Sequence, residues 1–168
     1  NLDKTEVKCK WISKYQIWEI ADKKRGELWR EGGIPVDVET IVECRLKLDI
    51  LMIPDLLKLT DMDAFLKKDL SGMIVDSENY TNSRFSNRMR FSFAHELGHL
   101  FLHRYIYELA DFISEREWKT FMSEMHDSQH SFFETQANEF AGRFLVPRDD
   151  LKEKVIESFN ILKIRDIP

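Results

Sequence analysis

Little in this chain of 168 residues points to a disulfide-bonded, membrane-spanning or nucleic-acid-binding protein. It has two cysteines, Cys9 and Cys44, far apart and in no CxxC pair. Reduced thiols in a cytoplasmic protein are the simpler reading. No apolar run approaches the roughly 20 residues a bilayer-spanning helix needs. No internal repeat or low-complexity segment is present. The basic excess of a dedicated nucleic-acid binder is also missing: 25 Lys and Arg face 30 Asp and Glu, for a net charge of −5. Direct contact of this domain with DNA is therefore not expected. The clusters Lys23-Lys24-Arg25 and Arg84, Arg88, Arg90 read as solvated faces. The chain opens at Asn1 with neither an initiator Met nor a basic-then-apolar leader. The expectation is a fragment or processed form, from which an upstream DNA-binding domain could be missing.

What is present is an ordinary globular profile, 43% hydrophobic and 33% charged, of a length suited to one domain over 1–168. Within it stands the run His95-Glu96-Leu97-Gly98-His99, an HExxH pattern. Residues four apart on an α-helix return to nearly the same face, roughly 6 Å along the axis, so the two imidazoles can share one zinc ion. Glu96, one position round from His95, can reach a water beside the metal and take its proton as general base. Five residues with two free positions also recur by chance, so context matters. Phe91-Ser-Phe-Ala94 before the run and Leu100-Phe-Leu102 after it continue a Pro-free apolar helix pattern.

A catalytic zinc site usually holds three protein ligands and keeps a fourth position open. The extended pattern HExxHxxGxxH would put glycine at 102 and histidine at 105, where the chain has Leu102 and Tyr105, so that class is excluded. His103 lies one further turn along, and three ligands stacked on a straight helix would span roughly 12 Å. It reads as a support for a ligand histidine or as helix-end packing. Glu134 is the better third ligand. It opens a second helical segment on which Glu134, Ala137, Asn138 and Ala141 share a face. The small residues there, with Gly98 on the other helix, let two backbones approach closely. Asn138 is placed to bond the second nitrogen of a ligand histidine and fix its tautomer.

The block Arg90-Phe-Ser-Phe-Ala-His95-Glu96-Leu-Gly-His99, followed in order by Glu134-Thr-Gln-Ala-Asn-Glu-Phe-Ala141 and Phe144-Leu-Val-Pro147, resembles the ImmA/IrrE family of bacterial and phage metallopeptidases. Gly142 and Val146 are mild departures. The resemblance implies His95, His99 and Glu134 as zinc ligands and Glu96 as general base. It also implies a helix-turn-helix repressor as substrate, cleaved to relieve repression in a stress or mobile-element response. The fold expected is α+β and zincin-like: a small, mainly antiparallel sheet packed against the HExxH helix with further helices, one edge strand lining the substrate cleft. Two other readings were weighed. Peptide deformylase pairs HExxH with an upstream cysteine, but Glu43 stands where glycine should precede Cys44, and no glycine-rich loop lies upstream. A metal-bound regulatory partner that sequesters a repressor or toxin without cutting it would have no need of Glu96.

The remaining expectations are structural. An N-terminal helix spans 11–31, its aromatic stripe of Trp11, Tyr15 and Trp18 packed in the core. A helix and small sheet cover 35–83, including a strand at Leu48–Ile53 and a strand at Gly72–Val75 that turns through Asp76–Asn79 into a hairpin with Tyr80–Ser83. The motif helix covers 88–103 and the third-ligand helix 131–145. A last helix, 148–159, docks by its apolar face. The stretch Tyr105–His130 has no steady period and reads as a lid or specificity loop. It also holds candidates for polarising the substrate carbonyl: Tyr105, Tyr107, His126 and His130.

Overall fold

The computed structural model describes residues 8–109 and 115–164. The chain enters through α1 (Lys14–Leu28), which begins where the Ser13 hydroxyl accepts the Gln16 N–H and the Gln16 amide reaches back to the Ser13 N–H. This is a capping box, satisfying two otherwise orphaned donors. Asp37 caps a short α2 (Val38–Thr40) that widens into a π-helical turn over Ile41–Arg45. Strand β1 (Asp49–Ile53), α3 (Leu56–Thr60), β2 (Ala64–Leu66), β3 (Gly72–Asp76) and α4 (Ser77–Thr81) follow. The rest is helical: α5 (Ser86–Leu102), α6 (Arg104–Leu109), α7 (Glu115–Glu124), α8 (Asp127–Leu145) and α9 (Arg148–Ile164).

The class is α+β, as expected, but the sheet is mixed. Its order is β1-β3-β2, with β1 parallel to β3 from Asp49↔Gly72 to Ile53↔Asp76, and β2 antiparallel to β3 from Ala64↔Val75 to Leu66↔Met73. A parallel pair requires a crossover, and α3 with β2 supplies it. The apolar run Gly72–Val75 is buried on both faces as the central strand. The hairpin expected after it does not form. The Asp76 carboxylate instead accepts the Asn79 N–H at 3.0 Å and caps α4, while also accepting the Leu57 N–H of α3 at 3.0 Å. A polar cluster after a strand suits a turn and a helix cap equally well in sequence terms, and here the cap prevails. These N–H groups, Asn79 foremost, hold the Asp76 carboxyl below its ordinary pKa.

Helix α5 packs against β2 on one side and α8 on another, and α8 in turn packs against α1. Phe133, Ala137, Phe140, Ala141 and Phe144 recur at helical spacing on α8 and are all buried. Each such phenylalanine contributes about 1.5–3 kcal/mol of burial. Gly98 is the contact point between α5 and α8. A Cβ there would stand 2.9 Å from the Cα and 3.0 Å from the carbonyl oxygen of Ala137.

Two packing expectations change. The buried face of α1 is Ile17 and Ala21, whereas Trp11 and Tyr15 are 69% and 79% exposed. Small and branched residues let α1 lie close on α8, and the indoles and phenols are left at the flank. Trp18 is half-buried. Its Nε1–H donates to Glu139 at 3.0 Å, and Lys14 and Arg143 lie over its ring. Helix α9 is tied to α1 by an Arg25–Asp150 ion pair of 2.6 Å. Its Leu151, Val155, Ile156 and Phe159 are exposed rather than docked. Amphipathic spacing selects a face without supplying a surface to cover it.

Replacing Gly98 by Ala improves helix propensity by about 1 kcal/mol, yet forces a methyl group onto the Ala137 backbone, where overpacking costs about 1–3 kcal/mol. The expected result, read by thermal unfolding and zinc titration, is lower stability and weaker metal binding. Asp76→Ala loses two caps and is expected to cost about 2 kcal/mol in urea unfolding. Because the native carboxyl is depressed, its contribution is present above pH ~4 and lost as pH falls through the native value. The gap between native and variant protein should therefore narrow on acidification.

Candidate metal centre

The 17 residues of α5 carry His95 and His99 one turn apart, with Glu96 next to the first, on the side facing α8 and β2. His95 Nε2 and His99 Nε2 are 2.9 Å apart, and the Glu134 carboxylate of α8 stands 3.2 Å from the first and 3.7 Å from the second. The 3.2 Å contact is made by Glu134 Oε2 and the 3.7 Å one by Oε1, and one ligand atom from each of the three residues lies within 4.8 Å of the others, the one such metal-competent group among the described residues. A tetrahedral ion with bonds of ~2.0–2.1 Å has ligand edges of about 3.3 Å, close to the separations of His95 Nε2 from His99 Nε2 and from Glu134 Oε2. Two imidazoles and one carboxylate are a donor set suited to zinc. The residues fit such an ion.

Both histidines of the cluster are held from behind. His95 Nδ1 meets the Asn138 side-chain oxygen at 3.0 Å, one turn beyond Glu134, as the sequence pattern suggests. His99 Nδ1 meets His103 Nδ1 at 3.0 Å, and Phe133 stacks on both rings, with centroids at 4.1 Å and 4.4 Å. His103 thus lies outside the metal-competent cluster, as the buried hydrogen-bond partner of His99. Burial drives the His99 pKa well down, with His95, His103 and His130 adding to it. Burial likewise takes His103 to about 4, so both rings are neutral at pH 7. For His95 burial pulls downward, but the Glu134 contact and the Glu96 charge outweigh it and the net shift is upward.

Glu96 lines the same cavity as His95, His99 and Glu134 and is tied to the sheet. Its Oε2 accepts the backbone N–H of Leu66 on β2 at 2.7 Å. Burial raises its pKa to about 7, against the opposing pull of His95 and that N–H. A carboxylate poised near neutrality suits a group that must take and return a proton. The cluster opens into a cavity of about 720 Å³. Its wall combines β2 with an apolar patch of Tyr107, Trp118, Met122 and Phe133.

The four carbonyl-polarising candidates separate cleanly. His130 and Tyr107 line the cavity. His126 instead caps α8, its Nδ1 accepting the Ser128 N–H. Tyr105 is engaged elsewhere, its hydroxyl accepting the Lys10 N–H at 2.7 Å. The stretch expected as a lid or specificity loop is helical where it is described, in α6, α7 and the start of α8, with residues 110–114 outside the described residues. Cys44 lies exposed in the π-helical turn and outside the ligand cluster, which removes the deformylase reading. Sequence reasoning missed three contributors: the Leu66 amide, Phe133 and Gln136. A backbone N–H has no sequence signature. Phe133 and Gln136 flank Glu134 but read as ordinary core and surface positions.

The family model for the IrrE N-terminal-like domain, peptidase family M78, matches residues 67–165. The chain belongs to this family. The IrrE-like match takes in both motif helices, and it begins just after Leu66, so the strand that holds Glu96 lies at its edge. No curated protein and no solved structure matches the chain. As an IrrE-like domain it is a metallopeptidase by family, with a His95-His99-Glu134 cluster compatible with a metal site.

Replacing His95, His99 or Glu134 by Ala should abolish stoichiometric zinc binding in a chelator competition, because two remaining ligands do not hold the ion. Cys44→Ser should leave it unchanged.

Proposed function

We propose that the domain is a zinc-dependent endopeptidase that cleaves a helix-turn-helix transcriptional repressor in the cytoplasm. The observation that carries this reading is Glu96: a buried carboxylate beside a three-ligand cluster, held by the edge strand of a cavity large enough for a peptide. Bound zinc would act as a Lewis acid toward water and the scissile carbonyl. The protein's own groups do the rest. His95, His99 and Glu134 would hold the ion, while Glu96, whose Oε2 accepts the Leu66 N–H, would take the proton of the attacking water and return it to the leaving amine. His130 and Tyr107, which line the cavity, are the candidates for supporting the carbonyl oxygen.

Among the described residues β2 pairs along one edge, and on the other the Leu66 N–H is taken by Glu96, so an extended substrate would add there through the Ala64 N–H and the Ala64 and Leu66 carbonyls. The apolar patch of Tyr107, Trp118, Met122 and Phe133 favours a large apolar side chain beside the scissile bond. A repressor as substrate is supported by the family resemblance and by the acidic balance of the chain, which favours acting on a regulator over binding its DNA site. Among the described residues no helix is long and apolar enough to cross a membrane.

Glu96→Gln should retain zinc while turnover falls by about 10²–10⁴. Protein N-termini compared across cells carrying the native or the Glu96→Gln protein, with and without stress, test the reading directly. Termini that depend on Glu96 and lie in a repressor support it. Zinc-loaded protein that binds a repressor stoichiometrically without new termini would replace it with sequestration. In hydrogen exchange, bound peptide should protect the Ala64 amide on the open edge of β2, and an unprotected Ala64 amide would remove the edge-strand mode.

A further inference from the structure

Behind the ligand pair runs a chain of polar groups that hydrolysis does not use, and each link constrains the next. The Gln136 amide is oriented by its far end, where Nε2 donates to the Lys10 carbonyl at 3.0 Å. A carbonyl can only accept, so Oε1 is the end that faces His103 Nε2 at 3.0 Å. The Cys9 thiol, 4.0 Å from the same Oε1, agrees with an acceptor there. His103 must then carry its proton on Nε2. It is fully buried, with its two ring nitrogens facing Gln136 and His99, so it holds one proton and its Nδ1 is a lone pair. The His99 Nδ1 opposite must donate. That leaves His99 Nε2 unprotonated, the atom that stands with His95 Nε2 and Glu134.

We propose that the Lys10 carbonyl, acting through Gln136 and His103, sets the tautomer of His99 that presents Nε2 to the metal. Gln136 and His103 are positioning residues, and the segment before α1 is the anchor of the metal site. That segment is itself clasped: the Lys10 N–H donates to the Tyr105 hydroxyl at 2.7 Å, and that hydroxyl donates to the Lys8 carbonyl at 3.3 Å. Three separate pieces of chain, Lys8–Lys10, the α5–α6 junction and α8, thereby meet behind one ligand. The inference rests on the metal-site reading but is independent of what is cleaved.

Long-range proton–nitrogen spectra of the native protein loaded with zinc read the tautomers directly. Expected are Nε2–H at His103 and Nδ1–H at His99; the Nδ1–H tautomer at His103 overturns the proposal. In chelator competition, His103→Leu and Gln136→Leu should weaken zinc binding about 10–100-fold. His103→Asn, whose side-chain oxygen can stand near the former Nδ1 and accept from His99, should recover most of that loss. In Gln136→Leu the His103 tautomer should become mixed, a change that mere loosening of packing does not produce. Unchanged zinc affinity in His103→Leu would overturn the relay alone, whereas a native protein that takes up no zinc would overturn the metal site with it. If His103→Leu does not fold, the spectra of the native protein decide.

Discussion

The structure depends on one close approach, that of α5 to α8 at Gly98 and Ala137. A side chain on Gly98 would meet the backbone of the other helix at about 3 Å, so the two axes lie nearer than bulky residues allow. That proximity lets a carboxylate on α8 reach two imidazoles on α5. A glutamate side chain is short compared with the usual 8–10 Å spacing of packed helices. With larger residues at this crossing, Glu134 would fall away from His95 and His99. Phe133, Phe140 and Phe144 hold α8 in place, so the burial that stabilises the fold also sets the distance on which the ligand cluster depends.

Around this crossing the site divides its groups by environment. His99, His103 and Glu96 are buried, while Glu134 keeps partial access to solvent through the cavity. Burial favours neutral imidazoles, and a metal ligand must be neutral at the binding nitrogen. The same burial raises Glu96 toward neutrality, where proton exchange is efficient, and the Leu66 amide restrains the rise. One desolvated pocket, with a single hydrogen bond from the sheet, thus keeps His99 and His103 neutral and brings Glu96 near neutrality.

Much of this was legible in the sequence because it obeys a local period. The HExxH spacing, the apolar flanks of its helix and the face shared by Glu134, Ala137 and Asn138 are all consequences of 3.6 residues per turn. The structure brings those residues together as that spacing suggests, with Asn138 on His95. Other expectations went astray where one local pattern serves two ends. Asp76-Ser-Glu-Asn79 reads as a hairpin turn, but its aspartate reaches two helix N-termini at once. Trp11 and Tyr15 read as core, but the face of α1 that meets α8 is the one bearing Ile17 and Ala21. The apolar spacing of α9 marks a face that the described residues leave exposed.

The sequence by itself determined which residue types could share an ion and which carboxylate could serve as base, because helical periodicity makes neighbours of residues three and four apart. Only the tertiary structure decided what lies beyond one helix. It placed the Leu66 amide on Glu96, paired β1 with β3 in parallel, and ran Lys10, Gln136 and His103 into a line behind His99. Those relations join segments far apart in the chain. Their hydrogen bonds depend on direction as well as distance, and no periodicity encodes the direction of a group on another element.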